Sequence, residues 1–271
     1  MATVYLFVSG KGGVGKSTIT ANLAILLAGD GKRVVLIDSD LGLRSQDILL
    51  NLESSVVYDL MDVARGVCLL SDALIPVPRQ AGLQLLPAAQ FARTRDLDPR
   101  KLKKMINLLK KENDYILIDC AAGLDRGLRN ALNAVSAPET IVVVTPDDLS
   151  MRDADQITTL LEKKKLPRPR LLVNRLQNDL IHDGDMYSAQ AIASLMDLSL
   201  LGEIPEDPVV YPAQLRHRLV IDFDCEARQA LIRIAGRMQG HEIPFPQYGR
   251  KRVSLFRRLF GPEMLEVKRK I

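Results

Sequence analysis

The sequence predicts an α/β fold in which a mostly parallel, doubly wound sheet is flanked by helices. Three observations predict it. Short, almost entirely apolar segments recur along the chain, which is the pattern of parallel strands covered on both faces. The first of them leads into a glycine-rich loop and then into an alanine- and leucine-rich helical pattern. The 271 residues, 47% of them hydrophobic, suffice for one such domain with a substantial core.

The first strand, residues 4–8, ends in the loop G-K-G-G-V-G-K-S-T that begins at Gly10. Gly10, Gly15, Lys16 and Ser17 satisfy the G-x-x-x-x-G-K-[ST] pattern in its required setting of strand, loop and helix. Glycines let backbone N–H groups turn towards phosphate oxygens, and the following helix directs its positive end at the same anion. Lys16 can reach terminal phosphates, and the Ser17 hydroxyl can ligate Mg²⁺. The loop therefore predicts a nucleotide phosphate site.

A second lysine, Lys11, gives this loop the form K-G-G-V-G-K-S. It thereby resembles the loop of the deviant Walker A ATPases, the MinD/ParA family. In that family the first lysine reaches across a dimer interface to the nucleotide of the partner subunit. The resemblance implies a homodimer formed with ATP, and it implies catalytic roles for Lys11 and Lys16. It further implies that ATP contacts the whole loop: Gly10, Lys11, Gly12, Gly13, Val14, Gly15, Lys16, Ser17 and Thr18.

A helix is predicted over residues 18–28 and a second strand over residues 33–38. Strand, helix and strand make a right-handed unit whose ligands lie beyond the carboxyl ends of the strands. Asp38 and Asp40 fall at that edge. The segment containing them resembles the first switch region of the MinD group. The resemblance implies that Asp40 helps to position the attacking water and that Asp38 lies near the Mg²⁺.

Helices are predicted over residues 56–64 and 98–111, with a short strand at residues 83–86 between them. Residues 115–119 are four large apolar residues followed by Asp119, the Walker B form, whose carboxylate can hold Mg²⁺ through water. The metal candidates are therefore Ser17, Asp38 and Asp119.

The segment after Asp119 matches the second switch of the family, in which the Gly123 backbone is available to the γ-phosphate. The family usually has proline where this chain has Ala121. This substitution loosens the preset geometry of the loop, which puts the hydrolysis rate in more doubt than binding. Cys120 is predicted to be a packed residue, because no histidine is placed by sequence to activate it.

Further strands are predicted at residues 140–145, 170–175 and from residue 200, and a last helix from Cys225 to about Met238. Ser150 is predicted to cap the helix after the first of these strands, paired with Asp153. In the MinD group the start of this helix lies at the dimer surface and contributes to the site of the activator MinE. The family resemblance further implies an adenine pocket formed by Asn174, Pro205, Glu206 and Asp207.

The net charge of +4 is concentrated at the carboxyl terminus. Residues 250–271 carry eight Lys or Arg against two Glu, so the rest of the chain has a net charge of −2. Aromatic residues make up only 4% of the chain and Trp is absent, so stacking platforms for single-stranded nucleic acid are not evident. Because the body of the chain also has a net charge of −2, we do not expect nucleic acid as a partner. Three widely spaced cysteines indicate a reducing compartment and no zinc or iron–sulfur site within one chain.

Residues 250–260 form a predicted amphipathic helix after a Pro- and Gly-containing linker, residues 241–249. Its basic residues, except Arg252 in the first turn, lie on one face, and the other side carries the apolar Val253, Leu255, Phe256, Leu259 and Phe260. Such a helix is typical of an anchor on an anionic membrane surface, and it resembles the membrane-targeting tail of the MinD group. We therefore divide the chain into an ATPase domain (1–240), a linker (241–249) and a membrane-targeting tail (250–271).

The resemblance implies a slow, partner-stimulated ATPase that places the division site. It implies a cytoplasmic protein, peripheral on the cytoplasmic face of the membrane, with a MinE-like activator and a MinC-like division inhibitor. Four alternatives remain open from the sequence: a ParA-like DNA-partitioning ATPase, a regulator of flagellar number, an iron–sulfur scaffold ATPase, and a nucleotide-binding module without turnover.

Overall fold

The central feature of the structure, a computed structural model that describes residues 2–92, 96–124 and 126–246, is one mixed sheet. Its strand order is β3-β4-β2-β5-β1-β6-β7-β8, and only the β3–β4 pair is antiparallel within the described residues. The strands are β1 (Thr3–Val8), β2 (Val34–Asp38), β3 (Ile75–Pro76), β4 (Leu83–Leu86), β5 (Tyr115–Asp119), β6 (Glu139–Val144), β7 (Arg170–Leu176) and β8 (Ser199–Pro205).

Helices cover both faces of the sheet, as predicted. They are α1 (Lys16–Gly29), α2 (Gln46–Leu50), α3 (Leu60–Arg65), α4 (Leu70–Ala73), α5 (Pro99–Leu109), α6 (Arg126–Ala134), α7 (Asp148–Lys163), α8 (Asn178–Asp183), α9 (Ala189–Leu195), α10 (Val210–Leu215) and α11 (Glu226–Met238). Single 3₁₀ turns occur at Glu53–Ser55 and Val220–Asp222.

The sheet separates two apolar cores. One contains residues of α5, α6, α7 and α9, and the other contains residues of α1 and α11. Alternate residues of β1 enter different cores, with Leu6 on the first side and Phe7 on the second. Strands β5 and β6 are parallel to β1, and β2 is parallel to β5. The carboxyl ends of β1, β2, β5 and β6 therefore meet at one edge of the sheet. The predicted fold class is confirmed.

Two predicted helix starts are wrong. The helix expected from residue 56 begins at Leu60, because Asp59 and Asp62 form a capping box that fixes its first turn. The helix expected to be capped by Ser150 is capped by Asp147, whose carboxylate accepts a hydrogen bond from the Ser150 backbone N–H at 2.9 Å. A carboxylate three residues upstream thus takes the position predicted for the hydroxyl.

The sequence did not predict β3, α2, α4, α6, α8, α9 and α10.

The first residues of the predicted linker pack on the domain. Arg237 of α11 donates hydrogen bonds to the carbonyls of Ile243 (2.9 Å) and Pro244 (2.9 Å), and its guanidinium stacks on Phe245. Residues 241–246 therefore pack against the end of α11. The remaining linker residues 247–249 and the predicted tail, with Val253, Leu255, Phe256, Leu259 and Phe260, lie outside the described residues. Within the described ranges, no helix combines the length and the hydropathy required to cross a membrane.

Candidate functional site

The predicted phosphate loop leads into the amino end of α1, which no described side chain caps. Gly13 and Gly15 have φ of 81° and 92°, the left-handed region that favours glycine. The first turn of α1 has no side-chain cap and no acidic residue. The unsatisfied N–H groups and the positive end of the helix dipole meet here, so this end of α1 can bind an anion.

The loop is packed closely from behind and open in front. A Cβ on Gly10 would lie 2.3 Å from Cβ of Asp153 in α7, and one on Gly15 would lie 2.4 Å from Nδ2 of Asn174 in β7. The Asn174 amide also donates a hydrogen bond to the Val14 carbonyl at 2.8 Å. By contrast, a Cβ on Gly12 or Gly13 would meet nothing within 4 Å. The open side is the cradle in which the loop could hold a phosphate.

Lys16 is buried and forms an ion pair with Asp119 at the end of β5. Burial by itself lowers the pKa of Lys16, but the charge of Asp119 and the hydrogen bond to it outweigh this effect and raise the pKa. The amine therefore stays protonated. The pair lies directly beside the amino end of α1, where the predicted terminal phosphates would be within reach of Lys16.

Asp38, at the end of β2, is the neighbour of Asp119 in the sheet register. Its fully buried carboxylate accepts backbone hydrogen bonds from Asp40 (3.0 Å), Ser45 (2.9 Å) and Gln46 (3.0 Å). It thereby fixes the loop between β2 and α2. Burial, together with the charge of Asp119, raises the pKa of Asp38 to about 7.

Asp40 lies in this loop, half-buried, and its carboxylate makes no hydrogen bond or ion pair with another described residue. Burial raises the pKa of Asp40; the charge of Lys16 opposes this effect and the charge of Asp119 adds to it. The structure therefore brings Asp40 into the electrostatic environment of Lys16 and Asp119, with its carboxylate available.

Gln46 is a site residue that sequence reasoning missed. It is fully buried, and its amide nitrogen donates hydrogen bonds to Oδ2 of Asp119 at 2.6 Å and to the Ser17 carbonyl at 3.1 Å. The segment that resembles the first switch contains this residue, but the sequence predicts no role for it, because its contacts join segments 29 and 73 residues away in the chain.

The second switch is tied to the end of β1. The Gly123 backbone N–H donates a hydrogen bond to the Ser9 carbonyl at 2.8 Å, and the φ of Gly123 is 90°. This N–H would have to leave Ser9 to serve a phosphate. Cys120 is buried, and burial raises its pKa to about 12, so the thiol stays protonated, as expected of a packed residue.

The residues predicted to form a base pocket line one cavity of about 330 Å³ beside Gly15 and Thr18. Asn174, Pro205, Glu206 and Asp207 all border it. The Asp207 carboxylate accepts hydrogen bonds from the backbone N–H groups of Val209 (3.0 Å) and Ala227 (3.1 Å). Its oxygens therefore hold the backbone beside the cavity. Lining residues that the sequence did not predict include Asn22, Val210, Tyr211, Gln214 and Leu231.

Lys11 is exposed on the other side of the loop, where a second depression of about 640 Å³ is bordered by Lys11, Asp147 and Glu206. Partial burial raises the pKa of Asp147, but hydrogen bonds from Thr145 and the Ser150 N–H, together with the charge of Lys11, lower it further than burial raises it. Lys11 thus lies at the surface, apart from the buried Lys16.

The predicted metal ligands Ser17, Asp38 and Asp119 differ in how well their surroundings suit Mg²⁺. In the described part of the chain, no three Asp, Glu, His or Cys side chains come together to hold a metal by themselves. Mg²⁺ usually takes one or two carboxylates and completes its shell with phosphates and water, and Ser17 and Asp119 beside the anion cradle fit that mode. The oxygens of Asp119 accept from the side chains of Lys16 and Gln46, whereas those of Asp38 accept from three backbone N–H groups. Asp38 fits less directly, because a metal there would have to displace the main chain of the loop rather than side chains.

Comparison with known proteins agrees with this geometry. Residues 5–220 match a family model described as the CobQ/CobB/MinD/ParA nucleotide binding domain. The septum site-determining protein MinD of Helicobacter pylori is 40% identical over 259 residues, which cover 93% of this chain and 96% of that protein.

Solved structures give the same result. A MinC:MinD cell division protein complex of Aquifex aeolicus has a TM-score of 0.83 at 36% identity, covering 92% of this chain and 100% of that one. MinD of Pyrococcus horikoshii, complexed with Mg-ADP, has a TM-score of 0.77 at 32% identity, covering 88% and 96%. These matches favour the MinD group over the partitioning, flagellar and iron–sulfur alternatives. The chain therefore belongs to the CobQ/CobB/MinD/ParA family of nucleotide-binding domains, within its group of septum site-determining MinD proteins.

Proposed function

We propose that this chain is a division-site-determining ATPase that binds ATP with Mg²⁺, forms a homodimer and attaches to the membrane through its tail. One observation carries the proposal. The uncapped amino end of α1 lies beside the cavity that Gly15 and Thr18 border, and the buried Lys16–Asp119 pair begins at the first residue of the same helix. This arrangement supports phosphates on the loop, a base in the cavity and a metal near Asp119.

The phosphates would lie on the N–H groups of residues 10–18, and Lys16 would exchange its contact with Asp119 for the terminal phosphate. Mg²⁺, held by Ser17 and by Asp119 through water, would neutralise negative charge on those phosphates. Asp40 would orient the attacking water, because its carboxylate has no other described partner. Asp38 supports this role by fixing the backbone of Asp40.

The base would occupy the cavity lined by Asn174, Pro205 and Glu206. An amide can donate to and accept from an adenine edge, although the Asn174 nitrogen also holds the loop through Val14. The Pyrococcus horikoshii relative complexed with Mg-ADP supports this choice of nucleotide and metal.

The partners follow from the same reasoning. Lys11 is exposed beside the cradle, where it could reach the nucleotide of a second subunit. The Aquifex aeolicus MinC:MinD complex supports a MinC-like partner. A MinE-like activator would bind near the start of α7, which lies beside Lys11 at the second depression.

The test combines nucleotide binding, light scattering and ATP turnover on the full chain. We expect a dimer with ATP and Mg²⁺ but a monomer with ADP. Lys16→Ala should lose nucleotide binding, whereas Lys11→Ala should bind nucleotide, stay monomeric and lose turnover on the order of a hundredfold or more.

Lys103→Ala, which removes an exposed lysine of α5, is the control and should behave like the unmodified chain. Turnover by Lys16→Ala at the rate of the unmodified chain, or an ATP-dependent dimer of Lys11→Ala, would contradict the proposal.

A further inference from the structure

Three consecutive residues at the start of α2 each have a buried side-chain oxygen without a hydrogen-bond partner in the described part of the structure. These atoms are Oγ of Ser45, Oε1 of Gln46 and Oδ1 of Asp47. Buried oxygens in folded proteins are almost always bonded to protein or to ordered water. Of the three residues, Gln46 contacts both Asp119 and Ser17, so its unpaired oxygen indicates a place for ordered water next to the predicted metal ligands.

The orientation of the Gln46 carboxamide is fixed by its neighbours. Its nitrogen faces the Asp119 carboxylate and the Ser17 carbonyl, and both can only accept hydrogen bonds. The oxygen therefore takes the other terminal position of the carboxamide, where it is buried and has no hydrogen-bond partner among the described residues. The Gln46 backbone N–H is bonded to Asp38, so the residue is also held from the main chain.

We propose that Gln46 is an outer-sphere ligand of the Mg²⁺: its Oε1 accepts a hydrogen bond from a water of the metal's hydration shell. The inference rests on the proposed function, since it requires Mg²⁺ beside Ser17 and Asp119. Mg²⁺ gives up its waters reluctantly, so acceptors for those waters contribute to its affinity. Substitution of a residue that hydrogen-bonds to metal ligands from the outer shell typically lowers metal affinity ten- to a hundredfold.

A purely structural role is the competing explanation. In that case Gln46 would matter only because its N–H₂ group links α2 to Asp119 and Ser17. The two explanations concern different atoms of the same side chain: the first requires the acceptor Oε1 and the second requires only the donor Nε2.

Two substitutions separate them. Gln46→Met keeps the approximate size but has neither group, whereas Gln46→Glu loses the donor and keeps acceptor oxygens. We expect Gln46→Met to weaken Mg²⁺ binding to the ADP-loaded chain about tenfold or more, and Gln46→Glu to retain or strengthen it. Metal-free ADP binding should change little in either variant. Titration of Mg²⁺ into the chain saturated with fluorescent ADP measures each constant, and circular dichroism checks that each variant is folded.

Gln80→Met, in the turn before β4, is the matched control. Equal weakening of Mg²⁺ binding in Gln46→Met and Gln46→Glu would overturn the inference and favour the structural role. Unchanged Mg²⁺ binding in both variants would also overturn the inference. Failure of the proposed function would give a different result: the unmodified chain itself would bind ADP no more tightly with Mg²⁺ than without it.

Discussion

At the scale of single residues, the site is a set of buried charges whose partners are close in space and distant in sequence. Lys16 neutralises Asp119 across 103 residues of chain, and three backbone N–H groups surround Asp38. Breaking one member of a buried pair is strongly destabilising, on the order of 3–5 kcal/mol. A nucleotide that takes Lys16 from Asp119 must therefore bring Mg²⁺ or another partner for the carboxylate.

We expect Asp38→Asn to flatten the pH dependence of stability in the nucleotide-free chain. Burial and the charge of Asp119 raise the pKa of Asp38 from 3.8 to about 7. Between these values the folded chain binds more protons than the unfolded chain, so the free energy of unfolding contributed by Asp38 falls as pH rises from about 4 to about 7. Urea unfolding at several pH values across this range measures the slope.

Asp224→Asn, which changes a carboxylate that is 91% exposed, is the control and should leave the slope intact. An Asp38→Asn variant with the same slope as the unmodified chain would mean that Asp38 is ionised in the folded state throughout the range.

At the scale of elements, the phosphate loop takes its shape from two elements far along the chain. Helix α7 contacts it at Gly10 and strand β7 contacts it at Gly15 and Val14. Helix α7 is itself fixed by its Asp147 cap, close to Lys11. The loop is therefore rigid on its packed side and open on the side where glycines 12 and 13 face free space.

We expect Gly10→Ala to destabilise the nucleotide-free chain by about 1–3 kcal/mol, the usual effect of overpacking. The new methyl would lie 2.3 Å from Cβ and 2.8 Å from the backbone carbon of Asp153, so α7 or the loop must move. Gly12→Ala is the matched control in the same loop. It meets no atom within 4 Å and should change stability by less than about 0.5 kcal/mol. Urea unfolding compares the two variants, and similar losses in both would exclude packing against α7 as the cause.

At the scale of the whole molecule, the nucleotide site and the exit towards the predicted tail lie at opposite ends of α1. Its amino end forms the cradle, and beyond its carboxyl end Asp30 accepts a hydrogen bond from Gln239, just after α11. Fourteen residues of helix separate these ends by about 20 Å. The last turn of α11 therefore lies about one helix length from the nucleotide site. The tail itself lies outside the described residues, and we expect a change in subunit association to link it to the nucleotide.

We expect co-sedimentation with anionic vesicles to require both ATP and the tail. One short amphipathic helix binds a bilayer marginally, whereas two helices joined in a dimer gain effective concentration and can bind 10²–10⁴ times more tightly. The full chain should sediment with vesicles in ATP and largely remain in solution in ADP. A chain ending at Gly249 should remain in solution in both. Equal sedimentation of the full chain in ATP and ADP would separate membrane binding from the nucleotide.

Much of the fold was predictable because its signals are local. The apolar runs at β1, β2, β5, β6 and β7 each specify a buried strand, and the confirmed α/β class follows from their alternation with helices. The helix starts at Leu60 and Asp148 were misplaced because several nearby residues could serve as caps, and only the folded backbone selects Asp59 and Asp147. The short helices α8 and α10 have too few residues for a periodic signal.

The sequence by itself determined the phosphate cradle, since backbone N–H groups, Lys16 and Ser17 must be consecutive to surround one anion. Only the tertiary structure decided what the neighbouring strands contribute. It assigned Asp38 to the backbone of the following loop and Asp207 to the start of α11, and it placed Gln46 against Asp119. These contacts join residues up to 73 positions apart, and such pairings depend on the packing of whole elements, which no local pattern records.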